Sequence, residues 1–198
     1  MSKPIEILTA EESFALLKYC RECHRTQVGM VKALRNQLLI LLMLDSGLRV
    51  GEVCQLIGSD LIYQGKSTLS LSVRSEIAKG HKQREVPLSV RLRDCINEYH
   101  VVALLDILYL EENYVFCGEW EGTHITPRQI QRIVSLLSKR SIGRRIHPHV
   151  LRHTFATRLM RVTGSRVVQQ LLGHSNLQTT QRYTHPNSND LSQAIEKI

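Results

Sequence analysis

His149-Val150-Leu151-Arg152-His153-Thr154-Phe155-Ala156-Thr157, continued by Leu172-Gly173-His174 and closed by Arg182-Tyr183-Thr184-His185, holds most of the chemical character of this chain. Pro148 precedes it, as proline often does in the first turn of a helix. His149 and Arg152 are three residues apart and share one helix face, so both are expected to point into solvent. A guanidinium stays charged and forks onto two phosphate oxygens. Working outward, Ser46-Gly47-Leu48-Arg49-Val50-Gly51-Glu52 supplies a second arginine of matching kind. It falls at the junction of two helices, where a rigid scaffold can hold an exposed side chain. Taken singly, each arginine reads as a surface ion pair.

These residue types suit attack on a phosphodiester by a tyrosine without a metal. A free phenol has a pKa of roughly 10, so Tyr183 needs a base and a positive field to become a nucleophile. His149 could take its proton, while Arg49 and Arg152 stabilise charge on the phosphate. A lone tyrosine is usually a core or interface aromatic, and only the combination points elsewhere. The leaving 5′ oxygen needs an acid. Lys79 could supply it from the tip of a hairpin, with Lys82 and Lys66 as rivals whose ordinary role is hairpin solvation. His174 follows a helix end and could donate to the phosphate, or simply sit in the helix dipole. His149 and His153 have the i, i+4 spacing of zinc hydrolases, but position 150 is Val150 rather than glutamate, so the metal reading is weak.

Composition fits this direction. The 198 residues are 42% hydrophobic and 22% charged, and Lys and Arg exceed Asp and Glu by 26 to 18, a formal charge of +8. A basic excess favours a polyanionic partner, with nucleic acid first. No signal peptide opens the sequence, and the longest apolar run, Leu38 to Leu44, is too short to cross a bilayer. Five cysteines without an export signal fit reduced thiols and a cytoplasmic location. Cys20-Arg21-Glu22-Cys23-His24 matches a haem-attachment string, but that chemistry goes with export. These residues read as incidental helix positions.

Neither repeats nor a low-complexity linker divide the chain. Thr9, with Glu12 three residues on, caps a helix to about Arg25. Val31 to about Asp45 reads as a second, apolar helix stopped at Ser46-Gly47. Gly51 to Leu56 begins another helix. Thr68–Val73 alternates like a half-buried strand, Lys79-Gly80-His81-Lys82 turns, and Arg84–Leu88 returns, with Pro87 marking an edge. Ser89–Leu110 is mostly helical. Thr126-Pro127-Arg128-Gln129 starts a helix to about Lys139. Further helices span Pro148 to about Arg161, Arg166–Leu172 and Leu191–Ile198. The expected fold is mainly α with one small antiparallel β-sheet, an α+β domain.

Together, the strings from Ser46 to Glu52, Lys79 to Leu88 and His147 to Thr157, with Leu172-Gly173-His174 and Tyr183, resemble the catalytic domain of the tyrosine recombinase (phage integrase) family. The resemblance covers roughly Thr9 to His185. It implies a site-specific recombinase or integrase that cleaves and rejoins double-stranded DNA through a 3′-phosphotyrosyl intermediate on Tyr183, with neither a metal nor a high-energy cofactor. It further implies Arg49 and Arg152 on the non-bridging oxygens, His149 as general acid/base, Lys79 as acid for the leaving oxygen and His174 on the phosphate. Glu52 would orient the site rather than react. Residues 1–198 are expected to be one catalytic domain, with 1–8 a leading tail and 186–198 a C-terminal tail or helix that is either exchanged between protomers or packed on its own domain. The N-terminal DNA-clamping domain usual in the family is not expected within these residues, as in either an excised fragment or a minimal recombinase. The expected assembly is a monomer free of DNA and a tetramer on it. Two other readings stand beside this one: a type IB topoisomerase-like enzyme, and a DNA-binding regulator that keeps the fold without catalysis.

Overall fold

The computed structural model describes residues 5–22, 27–104, 112–120 and 122–173. Its first helix, α1 (Ala10–Glu22), starts where the sequence says it should. Thr9 Oγ1 accepts from the Glu12 N–H at 3.1 Å, and Glu12 Oε2 accepts from the Thr9 N–H at 3.0 Å. This reciprocal cap satisfies two N–H groups that a helix start leaves open. α2 (Gln27–Leu44) begins earlier than the apolar pattern suggests. Leu38 through Leu44 are all buried, as befits a helix apolar on every side. α2 packs against α1, against α5 (Val90–Leu104) and against α7 (Pro148–Val162) and so forms the axis of the core.

Gly47 ends this run with φ +63°, a conformation that costs any residue with a Cβ. The chain then enters α3 (Val50–Cys54) and α4 (Gly58–Leu61). These two short helices share one construction. In each, a carboxylate in the first turn accepts from a backbone N–H three residues earlier: Glu52 from Arg49 at 2.7 Å, Asp60 from Ile57 at 3.0 Å. In each, an arginine from the β region then forks onto that carboxylate, Arg84 onto Glu52 and Arg74 onto Asp60.

Two two-stranded antiparallel sheets follow, where the sequence suggested one. β1 (Ile62–Tyr63) pairs with β2 (Lys66–Ser67) across a Gln64-Gly65 turn in which both residues have positive φ. That is the geometry of a tight type I′ hairpin. β3 (Ser70–Val73) pairs with β4 (Arg84–Pro87) in the register Leu71↔Val86 and Val73↔Arg84. Pro87 lies at the end of this pair, opposite Ser70.

α6 (Pro127–Ile142) is capped by Thr126 and Gln129 as expected, and runs on to Gly143, which takes the left-handed conformation at its end. α7 carries His149 and Arg152. α8 (Ser165–Leu172) ends at Gly173 with φ +61°. Val168 and Leu172 pack with Ala156, Phe155, Leu159 and Met160, which fixes α8 on α7 in a small apolar cluster of its own. α8 also contacts β4. Leu8, near the chain start, is buried, and its N–H donates to Thr154 Oγ1 at 2.8 Å. Arg144 bonds Glu12, Glu6 and the Ile7 carbonyl, strapping this first segment to the body. Among the described residues, no helix is long and apolar enough to cross a membrane.

Candidate active site

The last turn of α8 is where the site is assembled. Three successive carbonyls there each accept from a different arginine. Leu171 O accepts from Arg84 Nε at 3.0 Å, Leu172 O from Arg152 Nη2 at 2.9 Å, and Gly173 O from Arg49 Nη2 at 3.3 Å. A helix C-terminus carries partial negative charge on carbonyls without intrahelical partners. Guanidinium groups satisfy both the hydrogen bonds and the dipole. The same arginines come from β4, α7 and the α2–α3 junction, so elements far apart in sequence converge on one point.

A single carboxylate sits among them. Glu52 is 1% exposed. Its Oε1 accepts from Arg84 Nη1 at 2.8 Å and Arg49 Nη1 at 3.0 Å, and its Oε2 from Arg84 Nη2 at 2.7 Å and the Arg49 N–H at 2.7 Å. Burial pushes the Glu52 carboxyl up. The hydrogen bonds and charge of Arg84, joined by the N–H and charge of Arg49, outweigh it and hold the group below the usual carboxylate range. Glu52 is therefore ionised and bonded by two guanidinium groups, Arg49 and Arg84, while Arg152 adds a third at the same end of α8. That is an electropositive centre built from a fixed frame, which suits recognition of a phosphate.

Arg152 departs from the expectation of a solvent-facing side chain. It is 6% exposed, and Gly47 O accepts from its Nη1. The helix-face argument located its backbone correctly, but α8 and the 46–48 loop close over the side chain. His149, one turn earlier on α7, is exposed, with its ring centroid 6.3 Å from that of His153. Among the described residues, no group of three or more His, Cys, Asp or Glu is arranged to hold a metal ion.

Lys79 occupies a tight turn in the β3–β4 connection. His81 N–H donates to Ala78 O at 3.0 Å, and Gly80 follows Lys79 with φ +81°, the pattern of a type II turn. Lys79 is exposed, as is its rival Lys82, and among the described residues it forms no hydrogen bond or ion pair with the arginine cluster. Lys66, the other rival, lies on β2 of the separate β1–β2 hairpin. His174 and Tyr183 lie outside the described residues, as do Cys23, His24 and the expected 191–198 helix. Tyr99 is a poor nucleophile: burial pushes its phenol up to about 12.

Arg84 is the residue that sequence reading passed over. It stood in the hairpin string as a strand start, with nothing to mark its partner 32 positions away. The signal was present only as strand alternation: Arg84 and Val86 fall on the buried face of β4, and a buried arginine needs acceptors for its charged fork. A groove beside it, between β4 and α8, is lined by Lys82, Glu85, Arg166 and Gln169.

The chain is similar to several known proteins. The tyrosine recombinase XerC of Pseudomonas aeruginosa is 37% identical over 166 residues, which is 83% of this chain and 52% of that protein. XerC of Bacillus pumilus is 38% identical over 163 residues, 79% of this chain and 51% of that one. The crystal structure of XerA recombinase matches with a TM-score of 0.76 at 28% identity, covering 99% of this chain and 64% of that one. XerH site-specific recombinase, bound to a palindromic difH substrate in a post-cleavage complex, matches with a TM-score of 0.75 at 26% identity, covering 98% and 53%. The chain spans about half the length of the curated relatives it matches. The pattern of the phage integrase family runs through residues 6–190, nearly the whole sequence. With that span and these relatives, the chain belongs to the phage integrase family.

Proposed function

We propose that this chain is the strand-cleaving and rejoining domain of a site-specific DNA recombinase. The observation that carries this reading is the convergence of Arg49 and Arg152, with Glu52 between Arg49 and Arg84, on the end of α8. A scissile phosphate held there has its non-bridging oxygens on Arg49 and Arg152. The Tyr183 oxygen, its proton passed to His149, attacks phosphorus. A bond from the tyrosine oxygen to phosphorus forms and the bond from phosphorus to the 5′ oxygen breaks. Lys79 gives that oxygen its proton, and His174 donates to the phosphate. The product is a 3′-phosphotyrosyl link and a free 5′ hydroxyl. The phosphodiester energy is kept in the covalent link, so a 5′ hydroxyl from a partner strand reverses the step without a cofactor.

Double-stranded DNA is the partner, and the +8 charge favours its approach. The domain is a monomer alone and a tetramer across two duplexes, with residues 186–198 docking on a neighbouring protomer. It acts in the cytoplasm.

Arg152→Lys tests the reading. An ammonium on a flexible stem cannot span Gly47 O and Leu172 O as a planar fork does. The variant should bind duplex DNA within a few-fold of the parent, yet cleave a nicked substrate about 100-fold more slowly, the usual cost of one misplaced transition-state donor. Cleavage at the parent rate would overturn the assignment of Arg152.

A further inference from the structure

Arg84 is held by the protein more completely than Arg49, whose side chain bonds through Nη1 and Nη2. All three guanidinium nitrogens of Arg84 are committed to the protein: Nε to Leu171 O, Nη1 and Nη2 to the two oxygens of Glu52. Its side chain is 6% exposed, against 21% for that of Arg49. Its side chain is therefore not the group that holds a phosphate. It joins β4 to α3 through Glu52 and to the end of α8 through Leu171. Gly173 is fitted against it: a Cβ there would come within 3.0 Å of Arg84 Cδ. Beyond Gly173 the sequence runs to His174 and Tyr183, while the β4 strand follows the connection that bears Lys79.

Resting on the recombinase reading above, we propose that Arg84 is a positioning residue for strand cleavage, setting Arg49 through Glu52 and locking the end of α8 to the β3–β4 hairpin. Two consequences separate this role from simple stabilisation. Glu52 orients Arg49 only as a carboxylate, and Arg84 keeps it one. Removing Arg84 leaves a buried carboxylate with less positive charge around it, so its proton affinity rises. Cleavage then acquires a new dependence on pH. In addition, a buried ion pair can often be replaced by apolar and neutral groups at little cost in stability. Stability and catalysis should therefore part company when both partners are replaced.

The test compares the full chain with Arg84→Lys, Arg84→Met, Glu52→Gln and the double variant Arg84→Met/Glu52→Gln. Each is measured for melting temperature, duplex affinity, and the single-turnover rate of covalent adduct formation on nicked DNA at saturating protein, from pH 5 to 9. The expected result for Arg84→Met is near-parent affinity, a rate lowered about 30- to 100-fold at neutral pH, and a rate that falls with acid more steeply than the parent's. Arg84→Lys recovers part of the rate. The double variant regains much of the melting temperature and loses the added acid dependence, but stays slow. If Arg84→Met cleaves like the parent, or if the double variant recovers rate in step with stability, Arg84 is only structural and the proposal fails while the recombinase reading stands. If the parent itself forms no adduct with DNA that it binds, the recombinase reading fails and this proposal falls with it.

Discussion

Gly47→Ala is the substitution whose effect the structure states most sharply. Gly47 has φ +63°, and a Cβ placed on it would lie 2.3 Å from Phe155 Cδ1, 2.6 Å from Phe155 Cε1 and 3.0 Å from Leu172 Cδ2. The left-handed conformation costs an alanine about 1–2 kcal/mol. Forcing a methyl between α7 and α8 adds about 1–3 kcal/mol of overpacking. Together they predict a loss of about 2–5 kcal/mol, or a melting temperature lower by about 4–20 °C for a chain of this size. The damage is also directed, because Gly47 O accepts from Arg152 and Leu172 O accepts from the same guanidinium. Cleavage should thus fall by more than duplex binding. Gly51→Ala is the matched control. Gly51 lies in α3 with nothing within 4 Å of the added Cβ, and glycine to alanine in a helix stabilises by about 0.5–1 kcal/mol. Differential scanning calorimetry of both variants decides the point. A Gly47→Ala protein within about 0.5 kcal/mol of the parent would refute the argument that this loop, α7 and α8 are packed to contact.

Three further outcomes follow from the same structure. Glu52→Gln should cost most stability above the ordinary carboxylate range. The folded pKa of Glu52 is lowered, so its contribution is present above the unfolded value and disappears as pH falls through the folded one; urea titrations should show the gap to the parent shrinking with acid, and a gap constant from pH 3 to 7 would contradict this. Arg144→Ala releases Glu6, Glu12 and Ile7 O and should cost about 1–2 kcal/mol, at the upper end for a half-exposed network, with faster amide exchange at Leu8; unchanged exchange there would show the strap to be idle. Thr126→Ala removes the hydroxyl that accepts from the Gln129 N–H at the start of α6 and should cost about 1 kcal/mol by chemical denaturation, without change in DNA cleavage.

How legible this was depended on whether the cause was local. The caps at Thr9 and Thr126, Pro148 on the first turn of α7, and the stops at Gly47 and Gly173 are consequences of neighbouring residues, and the sequence shows them. Arg49 and Glu52 stand together in the Ser46 to Glu52 string because their bond lies within one helical turn. The second hairpin was harder. Ile62-Tyr63 and Lys66-Ser67 are too short to show alternation, and Gln64 in a left-handed turn gives no warning. Arg152 was placed on the right face but not at the right depth, since its burial depends on α8 folding over α7. Arg84 was missed because its meaning lies in a partner on another element. Pairing across the fold, unlike capping, leaves no trace at fixed spacing.

In the proposed function these arginines serve a tyrosine nucleophile. The most direct measurement is covalent trapping. The parent and Tyr183→Phe are incubated with nicked DNA from the protein's own genomic neighbourhood, so that cleaved ends diffuse away, then resolved on a denaturing gel and mapped by peptide mass. The expected result is a DNA adduct on Tyr183 in the parent, carried through a 3′ phosphate, and none in Tyr183→Phe despite equal duplex binding. An adduct on another residue, or DNA binding by the parent with no adduct at all, would contradict it.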